Sequence, residues 1–335
     1  MIRCGIVGYG LAGAVFHAPL VRSAEGLELA AISTSRREEA PADVQVCGHE
    51  ELVARPDLDL VVIASPNHSH FPLAEAALLA GQHVVVDKPF TVTVAEADAL
   101  IALAGRQRRV LTVFHNRRWD GDFMTVRALL ESGRLGKVML FEAHWDRFRP
   151  DIAQRWRERP GGGAGLLFDL GPHLIDQALL LFGRPDAITA DLASQREGSE
   201  VDDYFELALH YGPMRAILAS SRLVAEPRPR FALHGDRGSF LKHGLDTQEE
   251  ALKSGAGPHD PGFGTDPLHG TFASPDGARE PVPTLPARWL TFYEAVGAAI
   301  RGEAPVPVAP LDARTGLAII ELARRSSEEG RRLPL

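Results

Sequence analysis

The sequence predicts an α/β fold in which an N-terminal doubly wound parallel sheet is followed by an α+β domain with a large, mostly antiparallel open sheet. Three observations support this fold class. Short, almost continuously apolar segments alternate with helical segments in the first third of the chain, as is typical of parallel strands covered on both faces. A glycine-rich turn follows the first apolar segment. Beyond about residue 120, longer segments with partial alternation and hairpin-like spacing replace this pattern.

The N-terminal part alternates five predicted strands with four predicted helices. Gly81 and Gly105 lie where two of the helices are expected to end. Repeated β-α-β units of this length indicate a doubly wound sheet. The predicted strands cover residues 2–8, 27–33, 59–65, 83–87 and 110–114, and the predicted helices cover 13–24, 49–55, 70–81 and 94–107.

The C-terminal part is predicted to form a second domain, so that residues 1–120 and 121–335 are the two expected domains. Residues 254–286 are rich in Gly, Pro and Asp and are expected to form one long irregular loop. Two roles are considered for this loop: a functional or interface-forming segment, or a flexible surface loop. The predicted strands are 136–149, 203–211, 214–223 and 230–235, and the predicted closing helices are 287–301 and 310–329.

The composition argues against several classes of protein. The 335 residues carry a net charge of −8 without a basic block, which argues against nucleic acid as a partner. The two cysteines, Cys4 and Cys47, are too few for a disulfide framework and lack metal-ligand spacing. No apolar run approaches the ~18 residues of a membrane span, and the chain enters its first strand without a secretion signal. We therefore expect a cytoplasmic protein with neither a membrane partner nor a metal site.

The segment "GYGLAG" (8–13) joins the first predicted strand to the first predicted helix. In this context G-x-G-x-x-G is typical of the Rossmann dinucleotide-binding turn, where the glycines permit a tight turn, close approach of a pyrophosphate and close helix–strand packing. The phosphates would lie on backbone N–H groups at the helix start. A glycine turn without a ligand is the alternative. The loop residues predicted to bind the cofactor are Gly8, Tyr9, Gly10, Leu11, Ala12 and Gly13.

The end of the second strand reads "STSRR" (33–37) and contains no acidic residue. NAD enzymes usually carry Asp or Glu there to bind the ribose 2′-hydroxyl, whereas hydroxyls with a guanidinium suit a 2′-phosphate. The sequence therefore favours NADP, with NAD as the alternative. The other interpretation is that the arginines begin a solvated helix. The residues predicted to contact this part of the cofactor are Ser33, Thr34, Ser35 and Arg36.

The segment "HVVVDKPF" (83–90) places Asp87 and Lys88 directly after an apolar strand. Open α/β sheets bind their ligands at the carboxyl ends of the strands. A lysine at that position can polarise a substrate oxygen or move a proton. A solvated loop lysine is the alternative.

The segment "DLGPHLID" (169–176) spaces Asp169, His173 and Asp176 so that they share one face of a helix. Histidine suits removal of a hydroxyl proton near neutral pH, and a neighbouring carboxylate can orient the ring or bind an adjacent hydroxyl. Pro172 can start or kink a helix, so this geometry is approximate. The alternatives are a capped helix with a hydrogen-bonded structural histidine, and metal ligation, which hydride transfer does not require.

In this order the motifs resemble the Gfo/Idh/MocA family, the group of glucose–fructose oxidoreductase and inositol dehydrogenases. The resemblance rests on 8–13, on "SPNHSHFPLAEAALLAGQHVVVDKPF" (65–90) and on "DLGPH" (169–173). Other stretches resemble more closely the branch that holds NADP-dependent scyllo-inositol dehydrogenases. These are 16–20, 114–120, 147–150, 171–183 and 234–255.

The resemblance implies roles for individual residues. Lys88, Asp169 and His173 would be the catalytic set, and Asp87 stands where the family more often has Glu. For Arg117 and Arg118 the alternative to substrate binding is a structural ion pair, and for Trp145 and Trp156 it is ordinary packing. Further cofactor contacts are expected from Ser65, Pro66, Asn67, His70, Asp87, Lys88 and Asn116, and substrate contacts from His115, Arg117, Arg118, Trp145, Arg147 and Trp156 together with Asp169 and His173.

By the same resemblance we expect an NAD(P)-dependent, NADP-linked oxidoreductase. It would transfer a hydride between a hydroxyl of a cyclic polyol or sugar, scyllo-inositol-like, and the nicotinamide. The alternatives are a reductase of a noncarbohydrate carbonyl or imine, and a nonenzymatic NADP-sensing regulator, against which the complete catalytic set argues. Residues 1–120 would bind the dinucleotide, and residues 121–335 would bind substrate and form the oligomer contacts. A homodimer or homotetramer is expected by analogy. The substrate's identity and phosphorylation state and the reaction direction stay open.

Overall fold

The computed structural model describes residues 1–37, 40–153 and 156–335. It confirms the predicted fold class, with a six-stranded parallel sheet and a nine-stranded, mostly antiparallel sheet. The chain forms two compact units. Unit 1 comprises 1–119, 247–264 and 288–317, and unit 2 comprises 120–246, 265–287 and 318–335. The division proposed between residues 120 and 121 stays a prediction, and the structure adds that two later segments pack within unit 1.

The sheet of unit 1 has the strand order β3-β2-β1-β4-β5-β6, and all its neighbouring strands are parallel. Every side chain of Leu60–Ile63 is fully buried, which explains the continuous apolar run in the sequence. The sequence did not indicate Gln45–Cys47, because three residues that begin with an exposed Gln45 give no apolar run. The strands are β1 (Ile2–Val7), β2 (Leu27–Ser33), β3 (Gln45–Cys47), β4 (Leu60–Ile63), β5 (His83–Val86) and β6 (Leu111–Val113).

Helices cover this sheet at nearly the predicted positions. The first begins as a π-helical segment, Ala12–His17, and continues as α1. Thr93 caps the longest of the four predicted helices by accepting the N–H of Glu96 at 3.2 Å. The four helices are α1 (Ala18–Ser23), α2 (His49–Val53), α3 (His70–Leu79) and α4 (Val94–Gln107).

The sheet of unit 2 has the strand order β14-β13-β12-β11-β7-β10-β9-β8-β15. Strands β7 and β10 run parallel, and the other neighbouring pairs are antiparallel. The strands are β7 (Val138–His144), β8 (Ala187–Ala193), β9 (Tyr204–Tyr211), β10 (Met214–Ser221), β11 (Phe231–Gly235), β12 (Gly238–Lys242), β13 (Gly270–Ala273), β14 (Arg279–Val282) and β15 (Leu333–Pro334). The remaining α-helices among the described residues are α5 (Gly121–Glu131), α6 (Leu166–Phe182), α7 (Gln248–Lys253), α8 (Leu290–Ile300) and α9 (Pro310–Glu329).

The prediction of one irregular loop over 254–286 was wrong, because β13 and β14 pair within it. Each strand has four residues, and β14 is an exposed edge strand that contains Pro281. Short edge strands of this kind show no apolar alternation, so no sequence pattern indicates a strand there.

Two observations on the described residues concern a membrane-spanning helix and a metal site. None of the helices in this part of the chain is both long and apolar enough to cross a membrane. Over the same residues, no cluster of three or more His, Cys, Asp or Glu side chains is arranged to hold a metal ion.

Candidate cofactor and catalytic sites

The glycine-rich turn of unit 1 has the backbone geometry that its residues predict. Gly8 has a φ of +91°, and a Cβ there would lie 2.7 Å from the carbonyl oxygen of Ala64. A Cβ on Gly13 would overlap the carbonyl oxygen of Gly8. At Gly10 the nearest atom to such a Cβ is Nη2 of Arg36, 3.9 Å away. Gly8 and Gly13 are therefore required by the protein's own packing, whereas a Cβ on Gly10 would meet no protein atom closer than Arg36, and a cofactor contact of Gly10 stays a prediction.

The end of β2 brings Arg36 to this turn. The backbone N–H of Arg36 donates to Oγ1 of Thr34 at 3.0 Å, which turns the chain after the strand. Ser35 and Arg36 are exposed. Ser33 is 1% exposed, and its hydroxyl is hydrogen-bonded to Nδ1 of His49. A cofactor contact from Ser33 stays a prediction, and no sequence pattern indicates its pairing with His49.

Lys88 follows β5 next to the carboxylate of Asp87, whose side chain is 13% exposed. Its backbone N–H donates to Asp87 at 2.8 Å, and Nε2 of His17 lies 3.9 Å from the same carboxylate oxygen. His17 is in turn hydrogen-bonded through Nδ1 to the hydroxyl of Tyr293 at 2.6 Å. Burial alone would raise the pKa of Asp87, but His17 and Lys88 lower it to about 2. Asp87 is thus an anion at neutral pH, and the Lys88–Pro89 peptide bond beside it is cis.

His70 connects two of the loops at the carboxyl edge of the parallel sheet. Its Nδ1 lies 2.8 Å from the carbonyl oxygen of Pro89, and its Nε2 lies 2.9 Å from that of Ser65. The ring is 1% exposed, and burial lowers its pKa. His70 therefore lies between the loop that contains Asn67 and the loop that contains Lys88, and its neutral ring can donate to the carbonyl of one of them. A direct contact between its ring and the cofactor stays a prediction.

The structure shows ion pairs for both arginines that follow β6. Arg117 is paired with Glu249, and its guanidinium lies 4.6 Å from the centroid of the Trp289 ring. Arg118 lies 3.1 Å from Asp312. Their roles in substrate binding stay predictions, as do those of the buried residues His115 and Asn116 just before them.

We expect Glu249→Gln to lower the free energy of unfolding by about 3 kcal/mol at neutral pH, because it leaves the buried guanidinium of Arg117 without this carboxylate. Burial would raise the pKa of Glu249, but Arg117 and Lys253 lower it from 4.5 to about 2. A carboxylate with a lowered pKa stabilises the fold above its ordinary pKa and loses that effect as the pH falls.

Urea unfolding of both proteins should therefore show the full difference above pH 4.5 and a shrinking difference toward pH 2. Glu250→Gln is the matched control, because Glu250 also contacts Lys253 but its side chain is 78% exposed. Equal effects of the two substitutions would contradict the assignment.

In unit 2, α6 carries Asp169 and His173 and continues through Pro172. The helix begins after Gly165, whose φ is +94°, and Asp202 accepts the N–H of Leu167 at 2.6 Å. Asp169 and His173 are therefore one helical turn apart, as their spacing predicts.

Two arginines that the sequence analysis missed hold Asp169. Nη2 of Arg222 lies 3.3 Å from its carboxylate, and Nε of Arg157 lies 3.6 Å from it. Arg222 is buried, and this burial lowers its pKa while Asp169 raises it. The available signal was the position of Arg222 directly after the apolar strand β10, which is the pattern that singled out Lys88 after β5.

His173 is 5% exposed and stacks on Trp145, with 5.6 Å between ring centroids and 30° between ring planes. Trp145 is itself 2% exposed. The guanidinium of Arg147 lies 5.8 Å from the Trp145 centroid, and that of Arg157 lies 4.4 Å from the centroid of Trp156. Trp145 thus packs on a predicted catalytic residue, and the expected substrate contacts of Trp145, Arg147 and Trp156 stay predictions.

Comparison with known proteins identifies related chains over the full length. A family model described as "Oxidoreductase family, NAD-binding Rossmann fold" matches residues 2–115, and one described as "Oxidoreductase family, C-terminal alpha/beta domain" matches residues 127–335. The uncharacterized oxidoreductase YdgJ of Escherichia coli is 46% identical, over 98% of this chain and 96% of its own. The scyllo-inositol 2-dehydrogenase (NADP(+)) IolW of Bacillus subtilis is 39% identical, over 100% and 96%. The crystal structure of an oxidoreductase from Bacillus cereus superposes with a TM-score of 0.89 at 32% identity, over 100% and 99%.

Proposed function

The chain belongs to the Gfo/Idh/MocA family of NAD(P)-binding oxidoreductases, and from that premise we propose that it is an NADP-linked dehydrogenase of a cyclic polyol or sugar of the scyllo-inositol type. The observation that carries the proposal is the presence of Lys88, Asp169 and His173 in a chain that is similar over its full length to an NADP-dependent scyllo-inositol dehydrogenase.

The residues around the glycine-rich turn fit an NADP molecule. Gly10 leaves the space that a pyrophosphate needs, and the guanidinium of Arg36 borders that space. Arg36 is exposed, so a 2′-phosphate can reach its planar donors. Bound there, the nicotinamide supplies the acceptor for a hydride.

His173 and Lys88 take complementary roles at the substrate. We assign to His173 the removal of the proton from the hydroxyl that is oxidised, and to Lys88 the stabilisation of the negative charge that develops on that oxygen. Asp169, which Arg222 and Arg157 hold in place, binds a neighbouring hydroxyl or orients His173. The anionic Asp87 accepts the backbone N–H of Lys88 and so places a negative charge beside this residue.

We expect Arg36→Ala to raise the KM for NADP+ by roughly 10–100-fold, because a charge-assisted hydrogen bond to the 2′-phosphate is lost. The KM for NAD+, which lacks this phosphate, should stay within a few-fold. Steady-state kinetics with both cofactors measure the two values, and Arg37→Ala is the matched control from the neighbouring position. An equal effect of Arg36→Ala on both cofactors would contradict the NADP assignment.

The substrate assignment is tested with a panel of scyllo-inositol, myo-inositol, glucose and xylose, each with NADP+ and NAD+. Turnover of a polyol or aldose with preference for NADP+ supports the proposal. Absence of turnover despite tight NADPH binding would favour instead a reductase of a noncarbohydrate carbonyl or imine, or an NADP-sensing regulator.

A further inference from the structure

Two buried side chains of unit 1 connect to the carboxylate that borders Lys88. His17 and Tyr293 are both fully buried, and Nδ1 of the imidazole lies 2.6 Å from the Tyr293 hydroxyl. Nε2, on the other side of the imidazole, lies 3.9 Å from Oδ1 of Asp87, and the same Oδ1 accepts the backbone N–H of Lys88 at 2.8 Å. The contacts therefore connect the Tyr293 hydroxyl to the backbone of Lys88 through His17 and Asp87.

The hydrogen of the neutral His17 imidazole is assigned from its partners. Within the part of the chain that the structure describes, Nδ1 of His17 is the one hydrogen-bond partner of the Tyr293 hydroxyl. Burial raises the pKa of Tyr293 well above its ordinary value, so the phenol keeps its O–H and donates it to Nδ1. The imidazole hydrogen is then on Nε2, where it faces the anionic carboxylate of Asp87.

The interaction between the imidazole and Asp87 is electrostatic, because 3.9 Å is longer than a hydrogen bond. Burial would raise the pKa of Asp87, and His17 opposes this effect together with Lys88 and His70. His17 therefore stabilises the carboxylate in the position from which it accepts the N–H of Lys88.

Aromatic packing fixes the orientation of His17. Its ring centroid lies 4.3 Å from that of Phe114, and the Phe114 centroid lies 5.0 Å from that of Phe292. The backbone N–H of Phe114 donates to the carbonyl oxygen of Val86 at 2.8 Å, which attaches this packing to the residue just before Asp87. The imidazole cannot turn away from Asp87 without disturbing these contacts.

We propose that His17 and Tyr293 are positioning residues for Lys88: the phenol orients the imidazole, the imidazole N–H holds the Asp87 carboxylate, and the carboxylate holds the Lys88 backbone. In this role the two side chains act through Asp87 and do not themselves contact the substrate. They fix the direction from which Lys88 reaches the oxygen that becomes negatively charged. The inference rests on the proposed function, in which Lys88 stabilises that charge.

Tyr293→Phe removes the hydroxyl and keeps the aromatic ring, so the packing around His17 is preserved. Without the phenol, the imidazole hydrogen is no longer restricted to Nε2. We expect kcat to fall about threefold to tenfold, the effect of losing one hydrogen bond. The KM for NADP+ should stay within about twofold, because the residues proposed to bind its phosphates are unchanged.

His17→Gln and His17→Leu form a matched pair. Gln can place an amide N–H close to the position of Nε2, whereas Leu has a similar size and no donor. We expect His17→Leu to lower kcat at least about tenfold and His17→Gln to keep most of the activity. A side chain that only fills space would not show this rescue, since Gln and Leu fill the space about equally.

NMR reads the environment of the Lys88 backbone without any substrate. Labelling with nitrogen-15 lysine gives four backbone amide signals, and Lys88→Met identifies the Lys88 signal by its loss. A backbone amide that donates to a carboxylate has a downfield proton signal. We expect this signal to move upfield in Tyr293→Phe and His17→Leu and to stay in place in His17→Gln. The four lysines of the chain are Lys88, Lys137, Lys242 and Lys253.

His83→Gln is the matched control for the histidine variants. His83 begins β5, the strand that Asp87 follows, and its Nδ1 accepts the backbone N–H of Val110 at 2.9 Å. Its position at the amino end of the strand separates it from Asp87, so both kcat and the Lys88 signal should stay unchanged. Thermal melting and NADPH binding confirm that each variant is folded.

A folded Tyr293→Phe or His17→Leu enzyme that keeps either the kcat or the Lys88 signal of His83→Gln would overturn the inference. A His17→Gln enzyme as slow as His17→Leu would overturn it as well. The activity of Lys88→Met separates these outcomes from failure of the proposed function. Normal turnover of Lys88→Met would overturn the proposed role of Lys88 together with this inference, whereas an inactive Lys88→Met beside normal Tyr293→Phe and His17→Leu would overturn this inference alone.

Discussion

Replacing His173 by Ala is expected to lower kcat by roughly 10²–10⁴-fold, the usual contribution of general acid–base catalysis. The imidazole is 5% exposed and held against Trp145, so its orientation is fixed before the reaction begins. The KM for NADP+ should change little, because the glycine-rich turn and Arg36 belong to unit 1. Stopped-flow or steady-state formation of NADPH measures kcat, and quenching of protein fluorescence by NADPH measures cofactor affinity.

Two further variants test whether the loss arises from the imidazole itself. His173→Asn fills more of the space and guards against a collapse of the Trp145 stack. His234→Ala is the control, since His234 is a partly exposed histidine on β11 that pairs with Glu142. A His173→Ala or His173→Asn enzyme with near-normal kcat would refute the assignment of His173 as the base.

The second large effect is expected at the glycine-rich turn, where three substitutions should separate packing from cofactor binding. Gly13→Ala should lower the free energy of unfolding by about 1–3 kcal/mol and raise the KM for NADP+ at least tenfold, because its Cβ would overlap the backbone of Gly8. Gly10→Ala should leave stability unchanged and still weaken cofactor binding, since its Cβ occupies only the space left for the pyrophosphate.

Gly105→Ala is the matched control for both. Gly105 lies in α4 with open space around its Cα, so alanine there should be neutral or slightly stabilising. Thermal melting without cofactor reports the packing effect, and titration with NADPH reports binding. A Gly10→Ala protein that binds NADPH normally would contradict the placement of the dinucleotide on this turn.

The strands of unit 1 other than β3 were predictable because both faces of a parallel sheet are covered. Each strand then appears as an apolar run with charged or glycine residues at its carboxyl end, as at Lys88 and Gly8. The edge strands of unit 2 were not predictable by the same logic. Exposed β14 has no apolar face to reveal it.

Short local motifs in the sequence predicted the candidate catalytic residues and their spacing, but not the residues that contact them from other parts of the chain. The spacing of Asp169 and His173 on a helix followed from sequence periodicity, and the structure confirms the helix. Arg222, which holds Asp169, is 53 residues away from it along the chain, and tertiary pairing brings the two together. The local sign of Arg222 is its position directly after the apolar strand β10, and that position does not reveal which residue it pairs with.

The most direct test of the central claim is the transfer of hydrogen from a polyol carbon to the nicotinamide. The enzyme and its Lys88→Met variant are incubated with NADP+ and carbon-deuterated scyllo-inositol, and the reduced cofactor is analysed by mass spectrometry. We predict that the enzyme forms NADPH that carries deuterium and that Lys88→Met forms little or none at equal NADPH affinity. Absence of deuterated NADPH with the unaltered enzyme would contradict the proposed substrate, and undiminished formation by Lys88→Met would contradict the proposed catalytic role of Lys88.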